Sequence, residues 1–259
     1  MSNSPLVTYT RLSPNRTAPR NHAIDTISIH CVVGQLTARE IVDLPSFNKY
    51  DPKDGSSCNY AVGKDGSFAQ GVDEANRSWC TSSRSNDHRA ITIEVASDRT
   101  YPYAVTDKAM SALLELLEDI CRRHGKKRLL WFGDKAKTLA YTPKADEMVL
   151  TVHRWFDSGK ECPGEYLYAR HGEIAAEVTR RLADAEKPST EPEEATEGIY
   201  CRLNDVPLDY RPTILKLMQK QVLGGYDDPD PDRLDDNLLK LDETFCRVMT
   251  VLDRLGVLG

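Results

Sequence analysis

The sequence predicts an α/β protein in which a mixed central β-sheet is flanked by helices, followed by a small, mainly helical C-terminal module. Short segments with alternating apolar residues are interspersed with helical segments up to residue 183. An acidic segment rich in Pro, Ser and Thr then covers residues 184–198, and two amphipathic stretches follow it. We therefore predict a domain over 1–183, a flexible linker over 184–198 and an accessory module over 199–259.

Three segments have the pattern of β-strands. In IDTISIH, Ile27 and Ile29 fall on one face and His30 on the other, because side chains alternate along a strand. RAITIEV likewise places Glu94 opposite its apolar residues. Between them, NYAVGKDGSFAQGV predicts a β-hairpin, since Asp-Gly provides the positive φ that tight hairpin turns require.

The clearest helical pattern covers residues 106–124. Thr106 is a suitable N-cap, Gly125 a suitable stop, and the apolar residues between them recur at helical spacing. This stripe is interpreted as core packing. Further helices are predicted over 173–182, 212–222 and 242–255.

Composition excludes several function classes. Lys+Arg number 34 against 40 Asp+Glu, a net charge of -6, so the chain lacks the basic footprint of a nucleic-acid-binding protein. No apolar run has the length of a membrane span, and the first residues lack the pattern of a secretion signal. We expect synthesis in the cytoplasm without a signal peptide and no membrane insertion. The seven cysteines form an odd, unpaired set, which favours reduced thiols.

Three residues far apart in the chain have the side chains of a catalytic zinc site. His30 ends the first predicted strand, and His153 and Cys162 lie in VHRWFDSGKECPG. Two imidazoles and a thiolate are ligands that a tetrahedral Zn²⁺ takes when the fourth position stays open for water or substrate. The sequence therefore predicts one catalytic zinc ion.

Several spaced motifs surround these residues, in the order SIHCVVG with AREI, SCNYAVGKDGSFAQGV, NDHRAITIEV, and TVHRWF with KECPG. Over residues 20–182 this series resembles the zinc-dependent N-acetylmuramoyl-L-alanine amidases of the second amidase family. That family includes phage endolysins, wall-recycling amidases and peptidoglycan recognition proteins. The resemblance implies their fold, His30, His153 and Cys162 as the metal ligands, and hydrolysis of the amide between N-acetylmuramic acid and L-alanine.

The resemblance also implies two catalytic residues. Glu94 matches the family's general base, and alternation along its strand puts it on the same side as His30. Lys160, two positions before the third ligand, matches the lysine that would stabilise the oxyanion. The alternatives are an ordinary solvated glutamate and a surface lysine.

The chain departs from the family at a tyrosine of the hairpin strand, where Cys58 stands instead. Tyr60 lies two residues on and is expected to share the face of Cys58, so we predict that it contacts substrate or that the tyrosine's role is absent. Trp79, Asn86 and Arg89, on loops or strand entries between the matched motifs, are further candidates for substrate binding, with packing as their alternative.

The predicted function is that of a phage or prophage endolysin that lyses cell walls. A catalytic domain, an acidic linker and a C-terminal module form the layout of such enzymes, and the tail faintly resembles surface-layer homology modules. We expect the module to bind the cell wall, with self-association or simple stabilisation as alternatives. A muropeptide-recycling amidase and a non-catalytic peptidoglycan recognition protein are the competing functions.

Overall fold

The computed structural model describes residues 3–186, 199–200, 206, 210–219 and 241–254. The chain divides into two compact units, residues 1–187 and 188–259. Most of the predicted linker, 187–198, lies outside the described residues. Residues 184–186, the first three of the predicted linker, continue the last helix of the first unit, so this helix extends further than predicted.

The first unit is built on a seven-stranded mixed sheet. Its strands are β1 (Tyr9–Thr10), β3 (Thr26–Val33), β4 (Tyr60–Val62), β5 (Phe68–Gln70), β7 (Ala90–Ser97), β8 (Arg128–Leu130) and β9 (Glu147–Thr151). In the order β1-β5-β4-β7-β3-β9-β8, only the β4–β5 pair is antiparallel. Two short strands, β2 (Arg16–Thr17) and β6 (Arg77–Ser78), pair separately.

The predicted strands and hairpin are confirmed. β4 and β5 pair antiparallel around a turn in which Gly66 has φ +83°, a conformation that glycine adopts without strain. In the parallel pair of β3 and β7, His30 lies opposite Glu94. Register partners in parallel strands share a face, so these two side chains are on the same side of the sheet.

Helices cover both faces of the sheet. They are α1 (Ala38–Val42), α2 (Pro45–Asn48), α3 (Arg84–Arg89), α4 (Asp107–Arg123), α5 (Lys135–Ala140) and α6 (Gly164–Glu186). One face, with Ile27 and Ile29, packs against α4 and α6 in the larger core cluster. The opposite face packs a smaller cluster that includes α1 and α2. The predicted fold class is therefore confirmed.

The helix predictions differ in accuracy. α4 begins where predicted, because the Thr106 side chain accepts a hydrogen bond from the backbone N–H of Ala109. The helix predicted over 173–182 is present, but it is longer than predicted, since α6 has 23 residues and starts at Gly164. The first part of this helix was not predicted, because His171 is a polar residue on its buried face and interrupts the apolar pattern. The His171 ring lies 4.6 Å from that of Trp131.

A buried ion cluster joins the loop after β5 to the end of α4. The Glu74 side chain is 1% exposed and accepts hydrogen bonds from the Tyr60 hydroxyl (2.5 Å), the Arg123 guanidinium (2.6 Å) and His124 Nε2 (2.7 Å). Burial raises the pKa of this carboxyl, but the hydrogen bonds from His124, Arg123 and Tyr60 outweigh burial and lower it to about 2. The ionised form of Glu74 therefore stabilises the fold.

Glu74→Gln is expected to lower the free energy of unfolding by about 3 kcal/mol at pH 7. Because the folded-state pKa is depressed, the contribution is complete above pH 4.5 and is lost as the pH falls towards 2. Urea unfolding at pH 7 and pH 3 measures both effects. Glu177→Gln is the control, because it removes a carboxylate whose ion pairs are exposed to solvent. It should lower the free energy of unfolding much less than Glu74→Gln does. Equal losses in both variants would contradict the role of Glu74.

The described part of the C-terminal unit contains α7 (Arg211–Gln219), α8 (Glu243–Arg254) and a two-stranded pairing of β10 (Ile199–Tyr200) with β11 (Leu241–Asp242). The helices occupy the predicted segments, and the ends predicted at 220–222 and 255 lie outside the described residues. Within the described parts of the chain, no helix is long and apolar enough to cross a membrane.

Candidate active site

The candidate site lies on the sheet face opposite the larger core. His30 and Glu94 face the same way from neighbouring strands, as the alternation predicts. His153 follows β9 in a one-turn 3₁₀ helix, His153–Trp155, and Cys162 lies in the loop before α6. The backbone N–H of Arg154 donates to the carbonyl of Cys162 (3.1 Å), which fixes these two segments next to each other.

The structure brings the three predicted metal ligands together. One ligand atom from each of His30, His153 and Cys162 lies within 4.8 Å of the others. His30 Nδ1 is 3.3 Å from Cys162 Sγ. A tetrahedral zinc with ordinary bond lengths holds a nitrogen and a sulfur donor about 3.5 Å apart. The donor set and its spacing therefore fit Zn²⁺.

The protonation of these three residues follows from their burial. Burial, followed by the neighbouring His153, lowers the pKa of His30 well below its usual value, and burial lowers the pKa of His153 as well. Burial raises the pKa of the Cys162 thiol well above its usual value. Neutral imidazoles are ready to donate to a metal, whereas the thiol must lose its proton on binding. Metal binding at this site should therefore release a proton.

Glu94 is enclosed next to the candidate metal position. Its Oε2 is buried without a hydrogen-bond partner in the described structure, and the thiol of Cys80 lies 3.7 Å from Oε1. Burial, together with the nearby Cys31, raises the pKa of Glu94 to about 8. Ligand atoms of His30, Cys80 and Glu94 also lie within 4.8 Å of one another, forming a second group that shares His30. The Glu94 carboxylate therefore borders the metal position.

A cavity of about 600 Å³ opens over these residues, and a neighbouring one of about 640 Å³ shares part of its wall. His153, Lys160 and Cys80 line both cavities, so the two cavities adjoin, and they are called the groove below. Lys160 is exposed at the rim, and its charge contributes to the lowered pKa of His153. Trp79 lines the second cavity, with its indole N–H donated to Thr17 (3.1 Å).

Asn86 and Arg89 lie in α3, not in a loop or strand entry as predicted. They line a different cavity of about 500 Å³, which meets the groove at Ser82. The Arg89 guanidinium forms a two-point ion pair with Asp25 (2.9 and 2.7 Å), which connects α3 to the start of β3. Contact of Asn86 and Arg89 with substrate stays a prediction.

Of the two alternatives for Tyr60, contact with substrate does not fit the structure. Tyr60 is fully buried in the larger core, and its hydroxyl is bound to Glu74 and to the backbone N–H of Ser4. Cys58 packs in the cluster on the opposite face. The expected shared face fails because β4 begins only at Tyr60. In the residue before it, Asn59, the side-chain oxygen accepts a hydrogen bond from the backbone N–H of Thr92. Regular alternation of side chains therefore cannot be extended back from Tyr60 to Cys58.

Sequence reasoning missed two polar residues beside the candidate ligand His153. The hydroxyl of Ser82 is 2.8 Å from His153 Nε2, and a carboxylate oxygen of Asp157 is 3.5 Å from the same hydroxyl. Neither residue lies in a motif that stands out. Only the closeness of Asp157 to His153 along the chain gave a signal.

The fold and the clustered side chains are those expected of an amide hydrolase built on a mixed sheet. A family model described as N-acetylmuramoyl-L-alanine amidase matches residues 20–165, more than half of the chain. The chain belongs to this family, and the protein is a peptidoglycan amidase of the N-acetylmuramoyl-L-alanine type.

Solved structures of similar fold include the endolysin amidase LysCS from Clostridium intestinale, with 17% identity, coverage of 69% of this chain and 98% of that chain, and a TM-score of 0.45. A mutant endolysin from Bacillus subtilis is 18% identical, with 69% and 99% coverage and a TM-score of 0.44. Drosophila peptidoglycan recognition protein SD is 20% identical, with 59% and 86% coverage and a TM-score of 0.38. No curated protein matches the sequence.

Proposed function

We propose that the protein is a zinc-dependent endolysin that cleaves the amide between the lactyl group of N-acetylmuramic acid and L-alanine. The observation that carries this proposal is the convergence of His30, His153 and Cys162 with Glu94 beside them. Zinc held by these three residues would supply a water of lowered pKa and a polarised carbonyl.

The chain's own residues have distinct roles in this proposal. Glu94, in its ionised form, accepts the proton of the attacking water and returns it to the departing alanine nitrogen, because an amine leaves only when protonated. The Lys160 ammonium, at the groove rim, stabilises the negative charge that develops on the carbonyl oxygen. The enclosure of Glu94 strengthens its interaction with a nearby positive charge.

Binding of the glycopeptide is assigned to the groove. Trp79 lines the groove and offers an aromatic ring for a sugar or peptide group, and the Arg77 guanidinium lies over that ring, 5.7 Å from its centre. Asn86 and Arg89 would extend the binding surface on the far side of Ser82. The C-terminal unit is proposed to bind the cell wall, which would raise the concentration of the catalytic unit at its substrate.

Mass spectrometry of digested cell walls tests this function. Stem peptides with a new L-alanine amino terminus, and glycan with intact muramyl lactate, are expected from the zinc-loaded protein. Removal of metal by a chelator should stop the release, and added Zn²⁺ should restore it. New reducing sugar ends would indicate a glycosidase instead.

The same samples separate the competing functions. Cleavage of soluble muropeptides without loss of wall turbidity would favour a recycling amidase. Binding to walls by a protein that holds no zinc and releases no peptide would favour a recognition protein. Both outcomes would contradict the endolysin proposal.

A further inference from the structure

Ser82 contacts a candidate metal ligand in the described structure. Its hydroxyl oxygen is 2.8 Å from His153 Nε2 and 3.5 Å from Asp157 Oδ2. A carboxylate only accepts hydrogen bonds and a hydroxyl has one proton, so a Ser82 hydroxyl that donates to Asp157 accepts the N–H of His153 Nε2. Ser82 is thus suited to select one tautomer of this imidazole.

The backbone of Ser82 is held in an unfavourable conformation. Its φ of +58° lies in the left-handed region, which a residue with a side chain rarely adopts. The preceding residue, Thr81, is bound through its N–H and hydroxyl to the buried carboxylate of Asp87 (3.2 and 2.6 Å). The following residue, Ser83, accepts a hydrogen bond from the backbone N–H of Asn86 at the start of α3. Neighbouring contacts therefore maintain the strain, a pattern found at functional sites.

We propose that Ser82 is a positioning residue that holds His153 with Nδ1 directed at the metal ion, an inference that rests on the proposed zinc site. An imidazole that binds a metal through one nitrogen donates the N–H of the other to a fixed acceptor. Because Ser82 occupies Nε2 of His153, Nδ1 is the nitrogen left for the ion. His30 likewise directs Nδ1 at Cys162.

The contact also links the metal position to the loop that carries Lys160. Asp157 accepts the backbone N–H of Gly159 through its side chain (2.9 Å) and that of Lys160 through its carbonyl (3.1 Å). Ser82, His153 and Asp157 therefore connect the segment before α3, one metal ligand and the turn before Lys160. Loss of the Ser82 hydroxyl should loosen the metal ligand without disturbing the hydrophobic core.

Two variants separate the hydroxyl from the backbone. Ser82→Ala removes the hydroxyl and keeps the strained conformation, whereas Ser82→Gly removes the hydroxyl at a φ that glycine accepts readily. Both are expected to bind Zn²⁺ about tenfold more weakly than the wild type in competition with a chelator, the effect typical of a lost hydrogen bond to a metal ligand. The absorption spectrum of the Co²⁺-substituted protein should change in both variants. The unfolding temperature of the metal-free protein should not fall in Ser82→Gly.

Ser85→Ala is the matched control, since Ser85 is an exposed serine three residues further on, in α3, whose hydroxyl contacts that of Ser83 instead. It should bind zinc like the wild type. Unchanged or tighter zinc binding in both Ser82 variants overturns the proposal, as does a loss confined to Ser82→Gly. A wild-type protein that binds no zinc would contradict the proposed function itself. Wild-type protein that binds zinc, with unchanged zinc binding in both Ser82 variants, would contradict only the role of Ser82.

Discussion

Glu94→Gln is expected to reduce kcat by about 10²–10⁴, the range that general acid–base catalysis contributes, while zinc content and stability remain those of the wild type. Glutamine keeps the shape of the side chain but cannot accept the proton of water. The buried Oε2, which has no hydrogen-bond partner in the described structure, is the atom available for that proton. Rates on a soluble muropeptide, measured at equal zinc occupancy, test this prediction.

The pH profile provides a second readout for Glu94. Burial, then Cys31, raises the pKa of the metal-free carboxyl to about 8, and an adjacent divalent cation would lower that pKa. Because the ionised form is the base, activity should rise with pH as Glu94 loses its proton. In the zinc enzyme this rising limb of the pH–rate profile should lie below pH 8. Glu94→Gln should lose the limb.

Glu161→Gln is the control for Glu94, because Glu161 lines the same cavity but is exposed and bound to the Tyr103 hydroxyl (2.6 Å). It should keep the wild-type rate and pH limb. Wild-type kcat in Glu94→Gln would remove Glu94 from the reaction.

The sequence predicted the parts of the fold that local periodicity determines. Alternation placed His30 and Glu94 on the polar side of their strands, and the register of β3 and β7 made them neighbours. The cap at Thr106 and the turn at Gly66 were predictable for the same reason, since each depends on residues close in the chain.

Other parts of the site depend on contacts that no local pattern encodes. Ser82 and His153 are 71 positions apart, and the hydrogen bond between them exists only in the folded chain. α3 was missed because its residues precede β7 without a break, so the polar segment looked like the entry to a strand. Tyr60 was assigned to the wrong face because alternation was extended beyond the residues that form β4.

Cys162→Ser is expected to weaken zinc binding by more than about 100-fold. Loss of a group that only orients a metal ligand already lowers metal affinity by about 10–100-fold. A hydroxyl replaces a thiolate poorly as a ligand, because its proton is much harder to remove. Zinc at 100 times its dissociation constant should stabilise the wild type by about 2.7 kcal/mol, and at the same zinc concentration the variant should gain less than about 0.4 kcal/mol. Chelator competition and unfolding with and without Zn²⁺ measure both effects.

Cys80→Ser is the control that locates the ion. Cys80 belongs to the second group, with His30 and Glu94, and its thiol lies in the same groove. If zinc is held by His30, His153 and Cys162, Cys80→Ser should retain wild-type affinity. Loss of zinc in Cys80→Ser with retention in Cys162→Ser would move the ion to the second group. Glu94 would then be a ligand rather than a base, because a carboxylate bound to the metal is no longer available to take the proton of water.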